Sequence, residues 1–193
     1  FNRYVCYIKP PANDKEAQEQ YVEVKYARAR TYFEAQHWEE AALGFRDVAL
    51  NHSDKDAAIY AAQLYLESLN IMGGSLEPAH PSCYDDMAAD VPKFIDSFCQ
   101  KGKEKDAEQC GTLIRIQRDI ERLRAEKLVE AAAKGGADAP KQFEKAATAY
   151  MEMWRKYSED ACKNKQPACE RAEEILYNAA RAFQAARLIA KAI

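Results

Sequence analysis

Glycine and proline are scarce in this chain of 193 residues, with seven of each, and they fall together at a few points. The long stretches between them are filled by alanine, leucine, glutamate, lysine, arginine and glutamine, which are strong helix formers. No apolar run approaches the roughly 18 residues that cross a bilayer. No block of five like charges occurs, and the formal net charge is -3. These absences predict a chain without a membrane span and without a basic surface for nucleic acid.

The sequence also lacks the motifs of common enzymes. It contains no glycine-rich phosphate loop, no G-x-S-x-G nucleophile motif and no H-E-x-x-H zinc motif. The three histidines, His37, His52 and His80, stand apart from one another, so the spacing of a metal site is missing. We therefore predict a protein that is not an enzyme and that needs neither a metal ion nor a cofactor.

Three carboxylates fall close together at Asp85, Asp86 and Asp90. A calcium loop would alternate its ligands and place a glycine at the turn, and this segment does neither. Acidic side chains are common in the first turn of a helix, where they meet the positive end of the helix dipole. We therefore expect a solvated helix start here, with a cation site as the less favoured alternative.

Helical periodicity dominates what is present. Apolar residues recur three or four positions apart in seven segments. The predicted helices cover residues 13–36, 38–51, 54–72, 84–100, 106–134, 139–158 and 168–193. Pro92 is expected to kink the fourth helix or to delay its start. Ahead of the first helix, Tyr4, Cys6 and Ile8 alternate with other residues until a Pro-Pro pair, so residues 1–12 are expected to be extended.

Short stretches repeat along the chain. YARARTYFEA at residues 26–35 resembles YNAARAFQAA at 177–186, and IYAAQLYLES at 59–68 keeps the same register. A second pair matches EEAALGFRDVA at 39–49 with EKAATAYMEMW at 144–154. Units of this size are typical of stacked helical arrays, because one unit alone cannot bury its apolar face.

These stretches resemble tetratricopeptide (TPR) repeats, in which two antiparallel helices form a unit of about 34 residues. Members of that family have a small residue and an aromatic residue three apart on the first helix, then alanine and an aromatic residue four apart on the second. The pairs that fit this spacing are Ala29 and Tyr32, Ala41 and Phe45, Ala62 and Tyr65, Ala146 and Tyr150, and Ala180 and Phe183. Each small residue is expected to lie in a helix–helix contact.

The resemblance implies an all-α fold, a right-handed TPR-like array (solenoid) of about seven antiparallel helices after a short extended segment. We expect one repeat domain over residues 13–193. Residues 13–72 and 139–193 match the repeat best, whereas 73–138 form an irregular middle that departs from the repeat length. The endings His52-Ser53 and Tyr157-Ser158 are similar to those of bacterial cell-envelope members of the family.

In TPR arrays the first helices of successive units line a concave groove that binds a peptide or a helix of another protein. Carried over position by position, the groove-facing residues are Glu23, Tyr26, Arg30, Phe33 and Glu34 in the first unit, Ile59, Gln63 and Glu67 in the second, and Tyr177, Arg181 and Gln184 in the last. Tyr–Arg pairs one turn apart recur in the first and last sets, and such pairs suit aromatic and charge-assisted contacts. The alternative is that this surface is an ordinary solvated helix face or is filled by the N-terminal segment of the chain itself.

Six cysteines are present, four of them where consecutive helices are expected to meet. Because the ends of an antiparallel hairpin approach each other, two disulfides are expected. The pairs are Cys99 with Cys110 and Cys162 with Cys169. Cys6 and Cys83 remain, and a bond between them would clamp the N-terminal segment, although whether they pair stays open.

The compartment follows from the state of these cysteines. Their spacing is unlike that of paired zinc ligands, and reduced cysteines packed as small apolar residues are the remaining alternative. Disulfides persist in oxidising compartments. Together with the family resemblance, they favour the bacterial periplasm over the cytoplasm.

The sequence thus predicts a protein-interaction scaffold, a periplasmic part of a larger cell-envelope assembly for motility, secretion or transport. Its expected partners are other proteins. Two alternatives are a rigid, disulfide-stapled spacer and a non-catalytic accessory region of a larger enzyme. Since the chain begins at Phe1 and ends at Ile193 within a helical pattern, we expect a piece of a longer protein.

Overall fold

The computed structural model describes residues 1–100, 107–163 and 172–192. Its helices are α1 (Asn2–Tyr7), α2 (Lys15–Glu34), α3 (Trp38–Asn51), α4 (Ala57–Gly74), α5 (Cys83–Phe98), α6 (Ala107–Ala133), α7 (Ala139–Tyr157), α8 (Glu159–Lys163), α9 (Ala172–Ala185) and α10 (Ile189–Ala192). No strand occurs within these ranges, so the predicted all-α class is confirmed. The long helices, α2 to α7 and α9, follow the order of the predicted segments.

The extended segment predicted over residues 1–12 is wrong for residues 2–7, which form α1. An alternation of three apolar residues is too short to separate strand from helix, and contacts with α2 decide the outcome. The rings of Tyr4 and Tyr21 lie 6.4 Å apart, and the Tyr21 hydroxyl donates to the carbonyl of Val5 at 3.3 Å. The backbone becomes extended only at Ile8, ahead of the prolines.

Two predicted helix limits also differ from the structure. Pro92 does not delay α5 but lies inside it, on an exposed side where water is available to the carbonyl that loses its helical partner. The last predicted helix is too long, because α9 ends at Ala185 and Arg187 adopts a left-handed backbone with φ of 62° before α10 begins. The remaining predicted positions, 168–171 and 193, lie outside the described ranges.

The chain divides into two compact units, Phe1–Gln117 and Arg118–Ile193, and the division falls within α6. Each unit has buried apolar residues of its own. The single repeat domain expected over residues 13–193 and its right-handed winding stay predictions, since two compact units are compatible with one continuous run of repeats.

In the first unit, α2 packs on α3, α3 on α4, and α4 on α5. Ala29 and Ala41 are fully buried, as the repeat spacing predicts, and so is Phe45. Gly44, also buried, lies directly against Ala29: a Cβ placed on Gly44 would be 2.8 Å from the Ala29 Cβ. The small side chains thus allow α2 and α3 to approach closely while Phe45 fills the adjoining space.

In the second unit, α7 packs on α9. One buried cluster contains Ala146, Ala147, Ala182 and Phe183, and another contains Ala125, Tyr150, Met153, Ile175 and Ala179. Ala180, predicted as a small core residue, is only half-buried. The core face of α9 instead passes through its neighbours Ala179 and Ala182, which are buried.

The predicted disulfide between Cys99 and Cys110 is confirmed, with Cα atoms 5.5 Å apart. It joins the end of α5 to the first turns of α6. Cys169 lies outside the described residues, so the second predicted pair, with Cys162, is not described. Cys6 and Cys83 are free thiols, one exposed and one buried. The bond between them that would have clamped the N-terminal segment is not formed, since Cys6 lies on α1 against α2 and Cys83 is enclosed at the start of α5.

Across the described ranges, none of the helices combines the length and the apolar character that a bilayer crossing requires.

Candidate functional site

A cavity of about 440 Å³ in the first unit is lined by α2 and α4, and we call it the α2–α4 groove. Its lining residues are Tyr26, Arg30, Phe33 and Glu34 from α2 and Tyr60, Gln63 and Leu64 from α4. Five of them belong to the predicted groove-facing set, namely all those on α2 and Gln63 on α4. The structure therefore brings the greater part of the predicted first-unit site together in one cavity.

Three residues predicted to face the groove, one on α2 and two on α4, do not line it. Ile59 is only 2% exposed and lies in the core, whereas Glu23 and Glu67 are exposed and lie beyond the lining residues. Tyr60 and Leu64 take the place expected for Ile59. Equivalence with the first repeat suggested Ile59, but the wholly apolar side chain of Ile59 enters the core. The hydroxyl of the adjacent Tyr60 was the signal that residue 60, and not 59, faces outward.

Aromatic contacts hold the floor of the groove in place. The ring centroid of Phe45, on α3, lies 5.6 Å from that of Tyr26 and 6.1 Å from that of Phe33. The Phe33 ring also meets Trp38 edge-on at 5.0 Å. Such tilted and edge-to-face contacts are favourable beyond the area that they bury. These contacts fix the positions of the Tyr26 and Phe33 rings relative to α3.

Arg30, whose guanidinium lines the groove, forms an ion pair with Glu34. Arg30 Nε donates to Glu34 Oε1 at 3.0 Å, one helical turn along α2. The hydrogen bond and the negative charge of Glu34 raise the pKa of Arg30 above its ordinary value. Both side chains are well exposed, so the pair lies on the rim of the groove, where water screens it.

The groove-facing residues predicted for the last repeat, Tyr177, Arg181 and Gln184, lie in the second compact unit. The guanidinium carbon of Arg181 is 5.7 Å from the centroid of the Tyr177 ring, a cation–π contact. Arg181 borders a cavity of about 310 Å³ together with Asn178 and with apolar residues that include Phe143. Tyr177, which is 62% exposed, and Gln184 do not line it. Of this set, the structure places only the arginine at a cavity.

The three carboxylates near the start of α5 differ in their exposure to solvent. Asp85 and Asp86 are exposed in the first turn, as expected. Asp90, expected on the same solvated start, is 2% exposed, so that expectation is wrong. It lies one turn further on, where the helix turns its side chain inward. No group of three or more potential metal ligands is brought together in the described part of the chain.

Ion pairs and a hydrogen bond compensate the burial of Asp90. Its carboxylate accepts from Arg46 Nε at 2.7 Å, from Lys93 Nζ at 2.7 Å and from the Tyr65 hydroxyl at 2.8 Å. Burial by itself would raise the pKa of Asp90, but these donors outweigh it and lower the pKa to about 2. The pKa of Tyr65 is raised by its burial and by the hydrogen bond to Asp90. This cluster ties α3, α4 and α5 together and has a structural role.

The chemistry available at the α2–α4 groove is that of recognition. Its floor offers ring faces and a leucine to apolar side chains, and the Gln63 amide is able both to donate and to accept a hydrogen bond. A carboxylate and a guanidinium stand at the rim. Neither a protein-family model, nor a curated protein, nor a solved structure matches this chain. Function is therefore inferred from the groove itself.

Proposed function

We propose that this protein is a non-catalytic scaffold that binds another protein through the α2–α4 groove. The observation that carries the proposal is a cavity of about 440 Å³ with an aromatic floor packed against Phe45 and a polar rim. Concave, mostly apolar sites with a few polar groups are the usual form of a binding site. A peptide or a helix of a partner fits such a groove by inserting a few apolar side chains.

A TPR-like organisation is part of the proposal. The contact of Ala29 with Gly44 lies between α2 and α3, which would be the two helices of one unit. The groove is lined by α2 and α4, which would be the first helices of successive units. Both features are those that the repeat pattern implies for a stacked array.

We also assign the protein to the bacterial periplasm, as part of a larger cell-envelope assembly for motility, secretion or transport. The disulfide between Cys99 and Cys110 supports an oxidising compartment. The similarity of the unit endings to those of envelope TPR proteins supports the periplasm among such compartments.

Site-specific photocrosslinking tests the groove. A photoreactive benzoylphenylalanine at Arg30, on the groove rim, is compared with the same residue at Glu40, which is exposed on α3 and does not line the groove. We expect irradiation in the native compartment to yield a defined adduct with a partner protein at position 30 and none at position 40. Equal yields at the two positions, or no adduct at either, would reject the groove and favour the spacer alternative.

A further inference from the structure

Carboxylates surround the α2–α4 groove. Glu34 lines it directly, and Glu23 and Glu67 extend its two faces by about one helical turn. Asp56 stands at the N-terminus of α4 but makes no capping hydrogen bond with its side chain. Glu23, Asp56 and Glu67 are all exposed, and within residues 1–100, 107–163 and 172–192 none of the three forms an ion pair.

Several basic side chains of this region are engaged with carboxylates. Arg30 is the one cation among the lining residues, and it is bonded to Glu34. Elsewhere in the first unit, Lys25 binds Asp47 at 2.8 Å and Lys55 binds Glu19 at 3.0 Å. Counted over the lining residues and the three carboxylates that flank them, the edge of the groove presents four carboxylates and a single guanidinium, an excess of negative charge.

The floor between these charges is apolar. Tyr26, Phe33 and Leu64 are half-buried, and Tyr60 is 42% exposed. The volume of about 440 Å³ lies in the lower part of the roughly 300–1,000 Å³ range of ligand pockets. A cavity of this size accepts a few side chains and not the face of a folded domain.

From this combination we infer that the occupant of the groove is a short basic segment of another protein, carrying lysine or arginine on both sides of one or two bulky apolar residues. The inference rests on the proposed function and specifies its partner. The apolar residues contact the ring-lined floor, and the basic residues face the surrounding carboxylates. Complementary charge of this kind speeds association and selects against acidic partners.

Three fluorescein-labelled synthetic peptides test the inference by fluorescence anisotropy. The first has two leucines flanked on each side by lysines, the second has glutamate in place of every lysine, and the third has serine in place of each leucine. We expect the lysine–leucine peptide to bind most tightly. Glu23→Gln/Glu67→Gln should weaken it about tenfold, which corresponds to two rim contacts of modest strength.

A matched control removes the same charge elsewhere. Glu130→Gln/Glu173→Gln neutralises two exposed carboxylates of the second unit, and it should leave the affinity unchanged. Equal weakening by both double variants would mean that the peptide senses only the net charge, and the inference would fail. It would also fail if the lysine–serine peptide bound as tightly as the lysine–leucine peptide.

The remaining outcomes separate the two proposals. Tighter binding of the glutamate–leucine peptide overturns the basic partner but keeps the groove as a binding surface. Absence of binding by all three peptides, with the adduct at position 30 still formed, overturns the inference alone. Absence of both binding and adduct overturns the proposed function as well.

Discussion

At the residue scale, Gly44 and Ala29 set how closely α2 and α3 approach. Gly44→Ala would place a methyl carbon 2.8 Å from the Ala29 Cβ, whereas carbon atoms pack best at about 3.5–4.0 Å. Overpacking costs about 1–3 kcal/mol, and the upper part of that range applies here because the Ala29 Cβ is fixed to its backbone and cannot rotate away. Replacing a helical glycine by alanine returns at most about 1 kcal/mol. We therefore expect Gly44→Ala to lower the free energy of unfolding by about 1–2 kcal/mol, measured by urea denaturation.

Gly111, exposed on α6, provides the control, because nothing lies within 4 Å of a Cβ added there. Gly111→Ala should raise the free energy of unfolding by up to about 1 kcal/mol. Ala29→Gly combined with Gly44→Ala reopens the space and should recover part of the loss. A Gly44→Ala protein as stable as the wild type would contradict the close approach of the two helices.

Asp90 makes the free energy of unfolding depend on pH in the acidic range. Since its pKa is lowered to about 2 in the folded protein, its ion pairs stabilise the fold above the ordinary pKa near 3.9, and that stabilisation is lost as the pH falls towards about 2. The shift corresponds to about 2 kcal/mol. Asp90→Asn should therefore cost about 2 kcal/mol at neutral pH, in urea denaturation, and progressively less in acid.

Arg46 and Lys93 are about half exposed, so water hydrates them when Asp90 is replaced, and the cost stays below that of stranding a buried charge. The comparison of wild type and Asp90→Asn at neutral pH and near pH 2 is decisive. An equal difference at both would show that packing, and not the charge of Asp90, accounts for the effect.

At the scale of elements, the disulfide between Cys99 and Cys110 holds the end of α5 to the start of α6. It closes a loop with a sequence separation of 11, and a loop of that length implies about 3 kcal/mol in the chain-entropy treatment. Cys99→Ser/Cys110→Ser should lower the free energy of unfolding by about that amount, measured by thermal or urea denaturation.

Cys6→Ser is the control for that experiment, because the Cys6 thiol is free and exposed. Surface substitutions of this kind usually change stability by less than about 0.5 kcal/mol. If the double variant were no less stable than Cys6→Ser, the disulfide would add nothing to the fold, and the stapled-spacer alternative would lose its support.

The long helices were predictable because their periodicity extends over many turns. α3, for example, has the bounds 38–51 in both the prediction and the structure. α1 was not predictable, since six residues give too little periodicity and the contacts of Tyr4 and Val5 with Tyr21 decide its form. A local pattern therefore predicts a helix that is long enough to show its own periodicity. It fails for a short segment whose form is decided by contacts with another helix.

The groove was predictable to a similar degree and for a related reason. On α2 the repeat spacing predicted every lining residue, because Ala29 fixes which face of that helix meets α3. On α4 the prediction depended on which of two adjacent residues, Ile59 or Tyr60, is buried in the core. The repeat spacing alone does not decide this. Charge at the edge of the groove became visible only when both helices were seen together.

At the scale of the whole molecule, the state of the cysteines tests the compartment. In folded protein purified without reductant, an alkylating reagent should modify Cys6 rapidly and Cys83 slowly, because Cys83 is buried and its burial raises the pKa of its thiol. Cys99 and Cys110 should remain unmodified until a reductant is added. Peptide mapping by mass spectrometry measures all four.

Reaction of all six cysteines without reductant, in protein taken from its native compartment, would contradict the assignment to an oxidising environment. The same result would not contradict the proposed binding at the α2–α4 groove, because no cysteine lines it. Location and binding are thus tested by separate experiments.

Phe45 belongs to α3 and is fully buried, yet it touches both rings on which a bound segment would rest. Because Phe45 packs against both rings, they would be held in place before a segment binds, and the entropic cost of ordering would fall mainly on that segment. If a segment binds there, its affinity would depend on a residue that it never contacts: a substitution at Phe45 would loosen the two rings without changing any atom that the segment can reach.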